Sequence, residues 1–436
     1  MGVTDPLLSG RTIAVPSTDG VARHGRLRPH RDGRSVLRAV GLALSAVLVS
    51  TVAIAGVTAM RFTRDIDVVS IGDGDHARPP TIGAYPGGFN ILIVGSDTGE
   101  GQGDGFGDRD AELNDVNLLL HVSADHSRAI AISLPRDLRV PAPVCVDEKG
   151  VEHAALQSQP LNAALGRGGL GCVVDTVEQL TGLDIQFAGM ITFLGVIELT
   201  NAVGGVPVCI DGPLVDPYTG INLPTAGEHV ISGATALAFL RSRHGVGDGS
   251  DLARISSQRV YLASLVRTLK SSDTLGDPVR LYQIAEVALR NMTLSPSLAN
   301  VPTMMSIAQA LKDIELDEVQ FVMYPSAYTD GFTRLIPDQQ VADQLMAAIR
   351  ADSPFAVATG ETGPGAALEP GGTDAGGPDA GETPAPSEPT ETPAPTETPA
   401  PGSSSPPASP APTSPPVIEG LTGQTAADRT CSVVNR

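Results

Sequence analysis

Hydrophobic residues fall into short continuous runs in the middle of the chain, between about residues 89 and 352. Four of these runs are rich in β-branched and other apolar residues, and they occupy 90–94, 116–122, 129–134 and 319–324. Continuous apolar runs of this length are typical of strands that are covered on both faces. They predict a central sheet buried between two other layers.

Three longer segments show the spacing of amphipathic helices instead. The first carries apolar residues on one face of Val173–Leu180 and stops before Gly182. The second follows Ser250, a good N-cap, and its apolar stripe runs through 252–269. The third opens at Pro337-Asp338. Helices that alternate with buried strands predict an α/β fold, a layered α/β/α sandwich with a central mixed sheet.

A further apolar stretch, Ala39–Met60, contains no charged residue and is long enough to cross a bilayer as one helix. Seven arginines precede it: Arg11, Arg23, Arg26, Arg28, Arg31, Arg34 and Arg38. The positive-inside rule then places the N-terminus in the cytoplasm and the rest of the chain outside, as a single-pass protein of the cell membrane. A cleaved signal peptide with Ala53–Ala55 at its cleavage site is the alternative, but the long basic leader and the long apolar run favour a retained anchor.

Composition divides the chain further. The stretch 353–416 consists mainly of Pro, Thr, Ala, Gly, Glu and Ser and repeats Glu-Thr-Pro-Ala-Pro, which predicts a disordered, extended tail. The predicted layout is a cytoplasmic basic leader (1–38), a transmembrane signal anchor (39–60), a juxtamembrane linker (61–88), an extracytoplasmic main domain (89–352), the tail (353–416) and a C-terminal segment (417–436).

Charge and cysteine content narrow the function classes. The net charge of −20 gives no reason to expect a nucleic-acid partner, since the basic run beside the apolar stretch is explained by membrane topology. Four cysteines in an oxidising compartment predict disulfides, with three possible connectivities. We favour Cys145–Cys172, which bracket a glycine-rich region, and therefore Cys209–Cys431, which would tie the C-terminal segment to the domain. A zinc site is not expected, because no Cys-x-x-Cys pair exists.

Two carboxylates flank neighbouring predicted strands. Asp97 follows the first strand and Asp115 precedes the second. Hard oxygen ligands in such positions predict a Mg²⁺ or Mn²⁺ site completed by water and phosphate oxygens, although Asp97 could instead cap a turn. Between them lies the glycine-rich acidic stretch 101–109, predicted to form a loop over the site that brings Arg109 to it.

Arginines follow the apolar segments at several points. Arg136 comes after the third strand, and Arg241 and Arg243 are two residues apart, so on an extended segment they would face the same side. Arg254 lies one helical turn before Gln258. Planar guanidinium groups suit bidentate binding of phosphate oxygens, whereas a single surface arginine more commonly forms an ion pair of little energetic value. The set predicts a site for a phosphorylated ligand.

Several of these motifs occur in the order seen in the LytR–CpsA–Psr family, which the chain therefore resembles. The segments that carry the resemblance are 90–97, 133–137, 161–164 with 168–169, 202–206, 236–244 and 251–258. The arginine-rich leader and the Pro/Thr-rich tail resemble those of actinobacterial members.

The resemblance implies an extracytoplasmic phosphotransferase. Such enzymes move a glycopolymer from a polyprenyl-pyrophosphate carrier to a muramic acid hydroxyl of peptidoglycan, forming a phosphodiester, and polyprenyl pyrophosphatase activity can accompany the transfer. By position, Asp97 and Asp115 match the Mg²⁺-associated acidic residues, and Arg136, Arg241 and Arg243 match the pyrophosphate-binding arginines. The alternative is a non-catalytic, membrane-anchored wall-binding or regulatory protein.

The chain departs from the family pattern at Leu113, where many members carry an arginine that Arg109 would have to replace here, and at Arg259, where glutamine is common. The implied chemistry also needs a proton acceptor, for which Asp97 and Asp137 are the candidates. A carrier lipid further needs an apolar groove; residues that could line one, or form plain core, are Phe187, Met190, Ile191, Phe193 and Leu194.

Overall fold

The computed structural model describes residues 68–71, 85–97, 112–147, 149–271, 274, 277–329, 334–358, 360–369 and 415–436, all within one unit that spans Asp65–Arg436. The predicted leader, the predicted anchor, Arg109 and positions 370–414 of the predicted tail lie outside these residues. Among the residues that are described, no helix is both long enough and apolar enough to cross a membrane.

The strands are β1 Phe89–Ser96, β2 Asn114–Val122, β3 Ala129–Ser133, β4 Arg139–Ala142, β5 Cys145–Val146, β6 Glu152–His153, β7 Leu156–Pro160, β8 Phe187–Ile191, β9 Val206–Ile210, β10 Leu214–Asp216, β11 Ile221–Leu223, β12 Gly227–Ile231, β13 Met292–Leu294, β14 Val319–Met323, β15 Ser326–Tyr328, β16 Leu335–Pro337, β17 Ala356–Val357, β18 Ala366–Leu368, β19 Val417–Ile418, β20 Gly423–Thr425 and β21 Thr430–Ser432. The helices are α1 Leu165–Thr181, α2 Phe193–Val203, α3 Gly233–Arg241, α4 Asp251–Lys270, α5 Pro278–Asn291, α6 Val301–Lys312 and α7 Gln339–Arg350, with short 3₁₀ turns at Leu161–Ala163 and Leu316–Glu318.

The central sheet has the order β13-β8-β1-β2-β3-β14-β20. Strands β1 and β8 pair in parallel, as do β3 and β14, while the β1–β2, β2–β3, β8–β13 and β14–β20 pairs are antiparallel. The sheet is therefore mixed, as predicted, and the four apolar runs found in the sequence correspond to β1, β2, β3 and β14.

Helices cover both faces of this sheet. On one face, Leu92 and Leu119 join a buried cluster with Val177 of α1 and Leu345 of α7. On the other face, side chains of β1 and β2 lie opposite those of α2, α3 and α4. Burial on both sides explains why the strands read as continuous apolar runs.

The predicted helix ends are largely confirmed. Ser250 caps α4 by accepting a hydrogen bond from the Ala253 N–H, and Gly182 ends α1 in the left-handed conformation at φ 65°. Asp338 caps α7, but Pro337 belongs to β16 and not to the helix. The single apolar stripe predicted for α4 is wrong, because positions 253–261 of α4 are all buried. This helix contacts strands of two sheets, β14 of the central sheet and β9, β18 and β21 of a second sheet.

A second sheet, ordered β12-β9-β21-β18, is completed by the C-terminal segment. Cys431 of β21 lies opposite Cys209 of β9 in parallel register, and the two form a disulfide. Cys145 and Cys172 form the other, so both predicted pairings are confirmed. Strands β17 and β18 lie within the predicted tail and pair with β19 and β21, so the predicted end of the domain at residue 352 is too early.

The predicted linker 61–88 also contributes to the folded unit. The Val69 N–H donates to the Leu294 carbonyl over 2.9 Å, and Ile71 is buried in the core. The ring of Tyr85 meets those of Phe89 and Phe187 edge-on. The chain thus enters the domain beside β13, at the edge of the central sheet.

Candidate active site

Asp97 lies just beyond the end of β1 and is held by the backbone that leads into β2. The Leu113 N–H donates to Asp97 Oδ1 over 3.1 Å, and the Asp97 N–H donates to the Leu113 carbonyl over 3.2 Å. Leu113, where the chain departs from the family pattern, therefore fixes Asp97 through its backbone and not through its side chain.

Asp115 projects from a β-bulge. Gly95 pairs with Val116 and Ser96 pairs with Asn114, so Asp115 is the extra residue on β2. A bulge redirects the side chain of its extra residue, and bulges are common beside active sites. Asp115 Oδ1 accepts a hydrogen bond from Arg136 Nη1, which joins the ends of β2 and β3.

A third carboxylate, Asp251, organises the arginines. Its Oδ1 lies 2.6 Å from Nη2 of both Arg243 and Arg254, and 3.9 Å from Nε of Arg136. Asp251 is the first residue of α4, and its side chain is only 4% exposed. Asp251 belongs to the motif 251–258, but no role was predicted for it. Its position directly after an N-cap, three residues before an arginine, was the available signal.

Burial and the neighbouring carboxylates act in opposite directions on the pKa values of Arg136 and Arg254. Burial lowers the pKa of Arg136, but the negative charges of Asp115, Asp137 and Asp251 outweigh this and leave the pKa raised. For Arg254, burial dominates over the charge of Asp251 and lowers the pKa.

The cluster also contains buried donors without partners. Within the described residues, the buried Nε atoms of Arg136, Arg243 and Arg254 have no hydrogen-bond acceptor. Buried donors of this kind are costly unless a ligand satisfies them. The arrangement therefore favours a bound anion.

Arg241 and Arg243 do not share one side, as an extended segment would require. Arg241 is the last residue of α3, and its guanidinium carbon lies 4.2 Å from the centre of the Phe193 ring. Arg243 lies beyond the helix end and turns towards Asp251. The difference arises because the apolar run before Arg241 is helical. The two side chains therefore serve different parts of the site.

Asp216 fixes the turn between them. Its Oδ2 accepts hydrogen bonds from the Ser242 hydroxyl over 2.8 Å and from the Arg243 N–H over 3.2 Å. Burial would raise the pKa of this carboxyl, but these and neighbouring hydrogen bonds keep it below its usual range. No motif in the sequence pointed to this residue, because it comes from β10, far from Arg243 along the chain.

An apolar cavity of about 180 Å³ opens beside the charged cluster. Its walls are mostly apolar residues of β1, β2, α2, α3 and α4, and its charged lining consists of Asp115, Arg241 and Arg254. Gln258 lines it together with Arg254, as expected for one helix face, and donates through Nε2 to the Leu240 carbonyl over 2.8 Å. The site is thus amphipathic, with guanidinium and carboxylate groups at one end of an apolar space.

The residues predicted to form an apolar groove divide into two groups. Ile191 and Phe193 line the cavity. Phe187 is fully buried core, Met190 lines a different pocket, and Leu194 is exposed. Two of the five residues therefore line the apolar cavity, and three do not.

A profile of the LytR_cpsA_psr family matches residues 63–351 of the 436-residue chain. The chain belongs to this family. This LytR_cpsA_psr chain is 31% identical over 274 residues to "Cell wall biosynthesis protein LcpA" of Corynebacterium glutamicum. The match covers 57% of the chain and 52% of the relative. It therefore spans about half the length of that relative.

Two further proteins are similar to this family member. It is 24% identical over 232 residues to the "Polyisoprenyl-teichoic acid--peptidoglycan teichoic acid transferase TagT" of Bacillus subtilis, covering 52% of the chain and 66% of TagT. The solved structure of a LytR-Csp2A-Psr enzyme from Actinomyces oris aligns with a TM-score of 0.49 at 23% identity, covering 65% of this chain and 95% of that one. Of the two relatives, TagT is named as a teichoic acid transferase and LcpA as a cell wall biosynthesis protein.

Proposed function

We propose that this protein is a membrane-anchored phosphotransferase that moves a glycopolymer from a polyprenyl-pyrophosphate carrier to a hydroxyl of peptidoglycan. The single observation that carries the proposal is the amphipathic site. Arg136, Arg243 and Arg254 converge around one buried carboxylate, next to an apolar cavity whose wall includes Arg241. A lipid pyrophosphate has this same division, with a charged head and an apolar tail.

In the proposed reaction, the acceptor hydroxyl oxygen attacks the phosphorus that bears the sugar. A new P–O bond forms, the P–O bond of the pyrophosphate bridge breaks, and the carrier leaves as its monophosphate. Arginines stabilise such a transfer mainly by holding the phosphoryl group and neutralising its charge. The hydroxyl proton passes to a carboxylate. Asp137 suits this role because its side chain is 47% exposed beside Arg136 and Arg243, whereas Asp97 is buried.

A divalent cation fits the donor set at the strand ends. Asp97 and Asp115 supply carboxylate oxygens from adjoining ends of β1 and β2, and Mg²⁺ commonly takes one or two protein carboxylates when phosphates and water complete its shell. Within the described ranges, no group of three or more such side chains forms a metal site. When bound, Mg²⁺ or Mn²⁺ would supply positive charge to the leaving phosphate.

Phosphate release from a short polyprenyl pyrophosphate by the full chain in detergent tests this proposal, first with Mg²⁺ and then with EDTA. We expect metal-dependent release that is lost in Asp97→Ala and in Arg241→Ala while both variants still unfold cooperatively. Glu286→Gln, on an exposed ion pair of α5, is the matched control and should retain full activity. Tight lipid binding without release or transfer, in the presence of metal and a peptidoglycan acceptor, would instead support the wall-binding alternative.

A further inference from the structure

The hairpin of β15 and β16 lies next to the charged cluster. Leu335 of β16 forms a parallel bridge with Leu138, and Tyr328 of β15 lies directly opposite Leu335. Hydrogen bonds close both ends of the hairpin, from the Thr329 N–H to the Arg334 carbonyl and from the Asp338 N–H to the Pro325 carbonyl. Leu335 thus pairs both with Tyr328 and with Leu138, the residue that follows Asp137.

Tyr328 lies close enough to the cluster for its charges to act on the phenol. Burial raises its pKa, and the charges of Asp251, Asp137 and Asp248 raise it further, against the opposing effect of Arg243. The residue is 36% exposed, so its ring remains accessible from solvent.

The charged cluster has two different sides. Among the described residues that line the apolar cavity are Asp115, Arg241 and Arg254, but not Asp137 or Tyr328. A lipid tail fits the apolar side, which leaves the polar side, with the half-exposed Asp137, for the second substrate.

We propose that Tyr328 forms part of an acceptor subsite that binds the glycan carrying the attacking hydroxyl. This inference rests on the proposed function and deepens it. A tyrosine suits a sugar because its ring packs against the apolar face of the pyranose while its hydroxyl hydrogen-bonds a sugar oxygen. Tyr328 would in this way hold the acceptor hydroxyl between Asp137 and the phosphoryl group.

Steady-state transfer by the full chain tests the subsite, with a short polyprenyl-pyrophosphate-linked disaccharide as donor and a tetrasaccharide of N-acetylglucosamine and N-acetylmuramic acid as acceptor. We expect Tyr328→Ala to raise the acceptor KM about fivefold to twentyfold, and the donor KM less than about twofold. Tyr328→Phe, which keeps the ring and loses the hydroxyl, should lie between Tyr328→Ala and wild type. Tyr282→Ala is the matched control, since Tyr282 is also 36% exposed but lies on α5.

The outcomes separate the two proposals. Transfer by wild type with an unchanged acceptor KM in both Tyr328 variants would overturn the subsite and leave the proposed function standing. Equal increases in both KM values would also overturn it, because they would indicate a general distortion of the site. Absence of any transfer by wild type, with metal present, would overturn the proposed function and the subsite together.

Discussion

Arg243 donates a hydrogen bond from Nη2 to Oδ1 of Asp251 over 2.6 Å, at the first turn of α4. The same oxygen lies 2.6 Å from Nη2 of Arg254. One buried carboxylate therefore fixes two guanidinium groups that come from different elements, and a third, that of Arg136, lies within 3.9 Å. The positions of these arginines therefore depend on Asp251, a residue that need not touch the substrate. Positioning matters because the proposed phosphoryl transfer depends on it.

Replacing Asp251 by asparagine keeps the shape of the side chain and removes its charge. We expect the arginines to repel one another and to shift, which would lower kcat/KM for phosphate release by about a hundredfold or more. The measurement is kcat/KM together with the unfolding temperature, with Glu286→Gln as the control. An Asp251→Asn variant with wild-type kcat/KM would show that the carboxylate does not position the arginines.

Phe193 supports Arg241 at the wall of the cavity. Because the guanidinium carbon lies 4.2 Å from the ring centre, loss of the ring should cost a cation–π interaction of about 0.5–2 kcal/mol. Phe193→Leu should therefore weaken binding of a short polyprenyl pyrophosphate by about 2- to 30-fold, as measured by titration calorimetry. Leu194→Ala, the exposed neighbour on α2, is the control. Equal affinities in both variants would contradict a role for the stacked pair.

Arg259 connects α4 to the segments on either side of positions 370–414. It is fully buried, and it donates to the Thr422 carbonyl over 2.9 Å and to the Thr362 carbonyl over 2.8 Å. Burial lowers its pKa to about 10. Arg259, one of the two departures from the family pattern, therefore joins the C-terminal segment to the domain.

Arg259→Leu would leave the Thr362 carbonyl unpaired, at a cost of about 1–3 kcal/mol, whereas the Thr422 carbonyl would still accept a hydrogen bond from the Met323 N–H. We expect the free energy of unfolding to fall by about 1–3 kcal/mol in denaturant titrations. Arg290→Leu removes an exposed ion pair and should change it by less than about 0.5 kcal/mol. An Arg259→Leu variant with the wild-type free energy of unfolding would mean that water or a neighbouring group satisfies the Thr362 carbonyl.

The sequence was most informative where local patterns determine the structure. Continuous apolar runs identified β1, β2, β3 and β14, and Ser250 marked the start of α4, since strand burial and helix capping depend on nearby residues. It was least informative where distant segments meet. Asp251 lies more than a hundred positions from Arg136, and their proximity depends on the sheet order. Arg241 was misplaced for a local reason, because an apolar run before a charged residue fits both a strand and a helix.

His121 makes the stability of the domain depend on pH. Its Nδ1 lies 2.8 Å from Asn90 Oδ1, and its Nε2 lies 3.1 Å from Asp352 Oδ1. Burial lowers its pKa below the ordinary value of 6.5, and the hydrogen bond and charge of Asp352 only partly oppose this. In the unfolded chain the imidazole therefore binds a proton at higher pH than in the folded domain.

The free energy of unfolding should consequently decrease as the pH falls below about 6.5 and level off once the pH is below the folded-state pKa. Urea titrations at about pH 7.5 and about pH 5 measure this decrease. His121→Gln keeps a polar side chain that does not titrate, so its decrease over the same interval should be smaller than that of wild type. An identical decrease in the variant would assign the pH dependence to other groups, because only the contribution of His121 is removed by the substitution.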